Sequence, residues 1–259
     1  MSGVGLGELV QYMDDLLETK RIPDYPNALN GLQVGNAGSV VKVAAAVDFS
    51  SLSVASAVRE GANLMIVHHG MFWSGIEPVR GVAYERMKLL VEEDLAVYSS
   101  HLPLDRHERF GNNVLLAAEL GLEPAAGFAR FQTIDIGVRG DADIETSELA
   151  SRAAAFTKAH GGVLRATPIS EGRRTKRWAI CTGGGASAET LREAAEHGID
   201  TLIVGEGAHW TAVHAADNGL VILYLGHYAT ETLGVRALAQ HVGERFSLPW
   251  TFLQHPTGL

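Results

Sequence analysis

Three short stretches of this 259-residue chain carry residue types able to hold a metal ion. In "NLMIVHHGMFW" an apolar run ends on His68-His69, followed by Gly70. "LAVYSSHLPLD" places His101 four residues before Asp105, and "VILYLGHYATE" repeats that spacing with His227 and Glu231. Imidazole nitrogens and carboxylate oxygens are what borderline and hard divalent metals take. Neighbouring side chains on a strand point to opposite faces, so a histidine pair inside a regular strand does not share one ion. At the end of a strand, with Gly70 freeing the backbone, the two rings are expected to splay toward two ions. His227 and Glu231 stand one above the other if a helix begins after Gly226. A histidine in a helix's first turn is biased toward the neutral form that ligation needs. Asp105 adds a carboxylate able to bridge two ions. Taken singly, each feature has a plainer reading: a core histidine, a solvated helix face, a turn after Pro103. Their joint occurrence at strand ends, two in matched positions, favours metal.

Strands must end where these ligands stand, and the pattern of the chain supplies them. Helix-like periodicity or capping marks 6–18, 51–60, 82–92, 113–120, 147–159, 188–197, 211–216 and 231–241. Apolar strand-like runs fall at 40–47, 63–67, 95–99, 131–138, 177–182, 201–204, 220–225 and 250–253. Such alternation with short glycine-rich joints predicts an α/β fold with mostly parallel sheets covered on both faces. In such sheets ligands gather beyond the C-terminal strand ends, where all the clusters lie. The expected partition is a first α/β half over 1–122 together with the C-terminal part, a short peripheral or connecting subdomain over 123–174, and a second half over 175–259. An internal echo relates the halves. Residues 59–73 and 196–210 align with Gly61/Gly198, Ile66/Ile203, Val67/Val204, Gly70/Gly207 and Trp73/Trp210 in register. The next strands end on His101 and Asp105 in one half, and on His227 and Glu231 in the other.

Composition bounds the rest. With 46% hydrophobic and 20% charged residues the chain reads as globular, and 259 residues suffice for a sizeable core. A net charge of −9 argues against a broad nucleic-acid-binding face, while Arg173, Arg174, Lys176 and Arg177 leave room for a small anionic substrate. The single cysteine, Cys181, permits no intrachain disulfide and points to a reducing, cytoplasmic setting. No signal-like start and no apolar run near the ~18 residues of a membrane span is present.

Other polar residues are open between roles. Glu206 mirrors His69 in the echo and is the candidate for positioning or deprotonating a water. His101 is expected to support Asp105 from behind, and His209 or His214 to line a cleft or serve structurally. Asn112 and Asn113 read as helix caps. "CTGGGAS" (181–187) is either a phosphate-cradling turn or a tight strand-to-helix joint; it lacks the Lys-Ser/Thr of a P-loop. Cys181 reads as a buried small hydrophobe.

"YPNALNGLQVG", "VHHGMFWSG", "SSHLPLDRHERFGNN", "CTGGGAS", "GEGAHW" and "GHYATETLGVRAL" resemble, in order and from Tyr25 to Leu238, the motifs of the Nif-three-like family of GTP cyclohydrolase 1 type 2 homologs. The resemblance implies a dinuclear divalent-metal site on His68, His69, Asp105, His227 and Glu231, lying between two intertwined, related α/β halves. It leaves the metals open among Zn, Fe, Mn and Ni. It further implies a homohexameric ring and a hydrolase acting on a small, nucleotide or phosphoester, substrate. A metal-binding assembly protein without turnover, binding a partner in the ring, is the alternative. An open coordination position facing a pocket favours the enzyme. The longer members' central insertion is absent here.

Overall fold

The structure, a computed structural model, describes residues 3–259. In chain order the elements are β1 (Val4–Gly5), α1 (Leu6–Leu16), β2 (Gly31–Val34), β3 (Ser39–Val40), β4 (Val43–Asp48), α2 (Ser51–Arg59), β5 (Leu64–His69), α3 (Val82–Glu92), β6 (Ala96–Ser99), α4 (Leu102–Asp105) and α5 (Asn112–Glu119). There follow β7 (Ala126–Phe131), β8 (Ile134–Glu145), α6 (Thr146–Ala159), β9 (Arg165–Ala166), β10 (Arg174–Cys181), α7 (Ala188–Glu196), β11 (Thr201–Val204), α8 (His209–Asp217), β12 (Val221–Tyr224), α9 (His227–Phe246) and β13 (Trp250–Phe252). The chain folds into two compact α/β units, each made of two pieces of sequence. One takes the residues up to Leu104 and Gly234–His255; the other takes Asp105–Leu233 and Pro256–Leu259.

The first unit is built on a five-stranded sheet of order β13-β4-β5-β6-β2. Its first four strands run parallel, and β2 closes the edge antiparallel to β6. Central strands covered on both faces need apolar residues at every position, and "VAAAV" and "LMIV" supply them. One set of alternate residues (Ala44, Ala46, Met65, Val67, Val97) packs with Val54 and Ala57 of α2 and Leu90 of α3. The other set includes Leu64, Ile66 and Tyr98, and the Tyr98 hydroxyl donates to Asp14 of α1 at 2.9 Å. Ser50 caps α2: its hydroxyl accepts from the Ser53 N–H, while Ser53 reaches back to the Ser50 N–H.

The second unit has a six-stranded sheet, β7-β8-β10-β11-β12-β9. Only β10, β11 and β12 run parallel; β7, β8 and β9 join antiparallel. The α/β reading therefore holds, while the expectation of mostly parallel sheets describes the first unit better than the second. Residues 123–174, expected to be peripheral, instead supply three strands of this sheet and helix α6. The strand expected at 131–138 is the middle of a hairpin. The last five residues of β8, "DADIE", alternate exposed and half-buried positions, the signature of an antiparallel strand with one wetter face. Trp178, Ile180, Ile203 and Leu223 face α5 and α6 through Leu116, Leu149, Ala153 and Phe156. The alternate residues, Ala179, Cys181, Leu202, Val204 and Ile222, pack on α7 and α8 through Leu191, Ala194 and Ala215. The echoed segments occupy matching places, since β5–β6 in one unit and β11–β12 in the other are adjacent parallel strands. Among the described residues no helix is long and apolar enough to cross a membrane.

Candidate metal-binding sites

In the first unit, β5 continues through both histidines, with His69 still in register with Asp48 of β4. The pair stands at the strand's end as expected, with the strand running two residues past the expected bound at Val67. Gly70 has another function than freeing the backbone. A β-carbon there would run into the Gln33 side chain, whose Oε1 accepts the Met71 N–H at 2.7 Å. Gln33 of β2 thus pins the chain just beyond the pair, a use of the "NGLQVG" motif not visible in sequence.

His68, His69 and His101 are all buried, and each brings a ring nitrogen to within 4.8 Å of the others'. Their ring centroids lie 4.8–5.7 Å apart. Each ring is anchored at Nδ1: His68 to the Ser100 carbonyl at 2.9 Å, His69 to Asp48 Oδ1 at 2.9 Å, His101 to Asp24 Oδ1 at 2.8 Å. A carbonyl can only accept, so His68 Nδ1 carries the proton and its lone pair sits on Nε2. The carboxylates favour the same tautomer in the other two rings. Orientation of an imidazole through its far nitrogen is the usual support of a metal-ligating histidine. Asp24 also accepts from Asn30 Nδ2 and the Leu102 N–H, both at 2.8 Å. Burial opposes ionisation of Asp24, but the His101 contact and these donors outweigh it and hold the carboxyl below its ordinary range. Trp73 covers the group, its ring centroid 4.6 Å from that of His69 and 4.4 Å from that of His101.

In the second unit, α9 begins at His227, four residues before the expected 231–241, which meets the condition that the helix start after Gly226, and sets Glu231 one turn later. His227 Nε2 lies 3.2 Å from Glu231 Oε2, and its Nδ1 lies 2.8 Å from Glu206 Oε1. Burial disfavours charge on His227, yet attraction and hydrogen bonds from Glu231 and Glu206 prevail and raise its pKa to about 9. The expected bias toward a neutral ring is thereby reversed in the metal-free protein, because two carboxylates outweigh the helix start. Glu206 is exposed and engaged on His227, the geometry of an orienting partner. Asp105 ends α4 and is buried; Asn112 Nδ2 donates to its Oδ1 at 2.8 Å and Thr182 Oγ1 approaches at 3.5 Å. Asn112 thus supports Asp105 from within the same unit. Asn113 is not a simple cap either. It donates to the Ile136 carbonyl at 2.8 Å and accepts the Thr182 N–H at 2.9 Å, tying α5 to β8 and to the turn after β10.

The glycine-rich turn belongs to this group. Gly183 has φ +61°, and a β-carbon on it would overlap Glu231 Oε1 and reach 3.2 Å from His227 Nε2. Its N–H donates to Thr230 Oγ1 at 3.0 Å and its carbonyl accepts the Glu206 N–H at 2.8 Å. The turn is a close-packed backbone pad beneath the ligands, and Ser187 caps α7 beyond it. Burial, with Asp105 and Glu231 nearby, pushes the Cys181 thiol far up, which fits an inert core residue. His209 stands exposed at the start of α8, where it lines a cavity together with Glu206.

The donors fit divalent ions: oriented imidazoles on one unit, and an imidazole with two carboxylates on the other. Fold and side chains together define an α/β protein with His/carboxylate groups suited to metal. The profile of the Duf34/NIF3 (NGG1p interacting factor 3) family matches residues 4–257, and the chain belongs to that family. It is 36% identical to a "GTP cyclohydrolase 1 type 2 homolog" of Deinococcus radiodurans, over 99% of this chain and 95% of that protein. A protein of the same description from Archaeoglobus fulgidus is 34% identical, over 99% of this chain and all of the other. Among solved structures, protein ybgI, described as of unknown function, superposes with a TM-score of 0.88 at 35% identity, covering 99% of this chain and 100% of that one. TTHA1606 of Thermus thermophilus gives a TM-score of 0.83 at 34% identity, with 99% and 100% covered.

Proposed function

We propose that this chain is a divalent-metal-dependent hydrolase with a dinuclear centre on His68, His69, Asp105, His227 and Glu231. The observation that carries the metal reading is the group of three buried imidazoles, His68, His69 and His101, each oriented by an acceptor at Nδ1. The pairing of ligands from both units into one centre rests on the family resemblance. Divalent ions supply Lewis acidity and water activation in such sites. The chain's own residues do the rest. The Ser100 carbonyl and Asp48 orient His68 and His69, Asp24 holds the neighbouring His101, Asn112 aims Asp105, and Glu206 accepts a hydrogen bond from His227 Nδ1. Glu206 retains a free-standing oxygen at the surface, so it is also the candidate to receive a proton from an attacking water. The names of the relatives point to GTP, but no guanine-reading motif is evident in the sequence, and a phosphoester suits two metals equally.

Metal content of protein purified without chelator, followed by a hydrolase panel that includes GTP, tests the reading. Two ions per chain and chelator-sensitive turnover are expected, with GTP a poor substrate. Full metal occupancy without turnover on the panel moves the weight to a metal-binding assembly protein. We also propose a homo-oligomer, most simply a closed ring; a solution mass equal to the 27.7 kDa chain refutes it.

A further inference from the structure

A cavity of about 510 Å³ opens in the second unit, within the size range of small-molecule sites. Tyr224, Val163, Ala212 and Leu259 give it apolar walls, while Arg165 and Glu206 are its charged lining residues. Arg165 stands directly across from Tyr224 in the antiparallel β9–β12 pair, so the two side chains rise from the same face of the sheet. Among the described residues, the Arg165 guanidinium makes no ion pair or hydrogen bond. In a chain of net charge −9 an uncompensated cation beside an aromatic wall is a local exception. The Tyr224 ring is held, since its hydroxyl and that of Thr211 lie 2.8 Å apart. Glu206 is shared: it lines the cavity and holds His227 Nδ1. An occupant therefore lies one side chain away from a proposed ligand.

We propose that this cavity binds a small organic anion, its charged group on Arg165 and its apolar, ring-like body along Tyr224. The apolar walls argue against a bare inorganic anion, which gains nothing from them. The guanidinium argues against a neutral hydrophobe. As the substrate class of the metal centre this rests on the hydrolase reading, but binding itself does not. The test therefore uses the full chain stripped of metal, with phenyl phosphate, benzoate, inorganic phosphate and phenol as probes. Calorimetry and amide chemical-shift mapping follow the binding. Saturable binding of phenyl phosphate or benzoate is expected, at least tenfold tighter than inorganic phosphate or phenol, with shifts around Tyr224 and Arg165. Arg165→Gln should weaken it at least tenfold, and Arg165→Lys by less. Arg165 is exposed, so its replacement leaves the core intact. Absence of saturable binding by any organic anion, equal binding of inorganic phosphate, or an Arg165→Gln variant that binds like the parent overturns the proposal. A failure of metal-dependent turnover leaves these results unaffected and bears only on the hydrolase reading.

Discussion

Replacing Gly183 by alanine probes the glycine-rich turn at its tightest point. Two costs follow from its position. A side chain at φ +61° pays a left-handed backbone penalty of about 1–2 kcal/mol. The new β-carbon also meets Glu231 Oε1, whose side chain is only 3% exposed and has little space to retreat. The turn cannot easily shift instead, because Thr230 and the Glu206 N–H hold Gly183 on both sides. The carboxylate must therefore move, disturbing buried hydrogen bonds at a further ~1–3 kcal/mol. Gly172→Ala is the control: φ +68° with no atom within 4 Å of an added β-carbon, hence the backbone penalty alone. Urea unfolding in chelator should show Gly183→Ala losing roughly twice what Gly172→Ala loses. Competition with a chromophoric chelator should show metal affinity falling about 10–100-fold for Gly183→Ala, as for loss of a ligand's support, and unchanged for Gly172→Ala. Equal stability losses together with parental metal affinity would refute the role assigned to the turn.

Three further outcomes follow from the same geometry. Asn112→Ala removes the bond to Asp105 Oδ1 and should cost ~1–3 kcal/mol in unfolding experiments, with less metal retained on elemental analysis. Asp24→Asn tests the support of His101: the Asp24 pKa is depressed on folding, so its contribution is present above its ordinary 3.8 and lost as pH falls through the folded value. The parent should therefore lose stability relative to Asp24→Asn below about pH 4 in acid titrations, and parallel curves would exclude the contribution. For His227, raised from 6.5 to about 9, the sign is opposite: in metal-free protein its contribution is full below pH 6.5 and lost as pH rises through about 9. An ion taking Nε2 must displace that proton, so apparent metal affinity should rise about tenfold per pH unit over the same interval, with proton release seen in weakly buffered calorimetry.

What was legible in the sequence was whatever depended on runs of residue type. "LMIV" and "TLIV" could only be strands buried on both faces, and both formed within two residues of the expected bounds. His227 and Glu231 at helical spacing behind Gly226 were readable for the same reason. The hairpin of β7 and β8 was not, because its strands alternate with charged residues and carry weaker apolar signal, so 123–174 looked irregular when it is half of a sheet. The support of the ligands was hidden for a different reason. Asp24 lies 77 residues from His101, and Asn113 meets Thr182 across 69, distances over which no local pattern speaks.

The charge state of His227 shows where local reasoning fails in kind. A helix N-terminus favours the neutral ring, and taken alone that preference is sound. It is a partial-charge effect, worth typically 0.3–1 kcal/mol, about half a pKa unit. Glu231 is supplied by the same helix one turn on, and Glu206 by the loop after β11, and together they carry two full charges within hydrogen-bonding reach of one imidazole. The stronger term wins, and the ring is held protonated until something else takes the place of its proton. A pair of carboxylates around a histidine is a poor way to keep a neutral base and a good way to hold a cation. In the metal-free protein that cation is the imidazolium itself; with metal, the same carboxylate charge is there to be met by the ion.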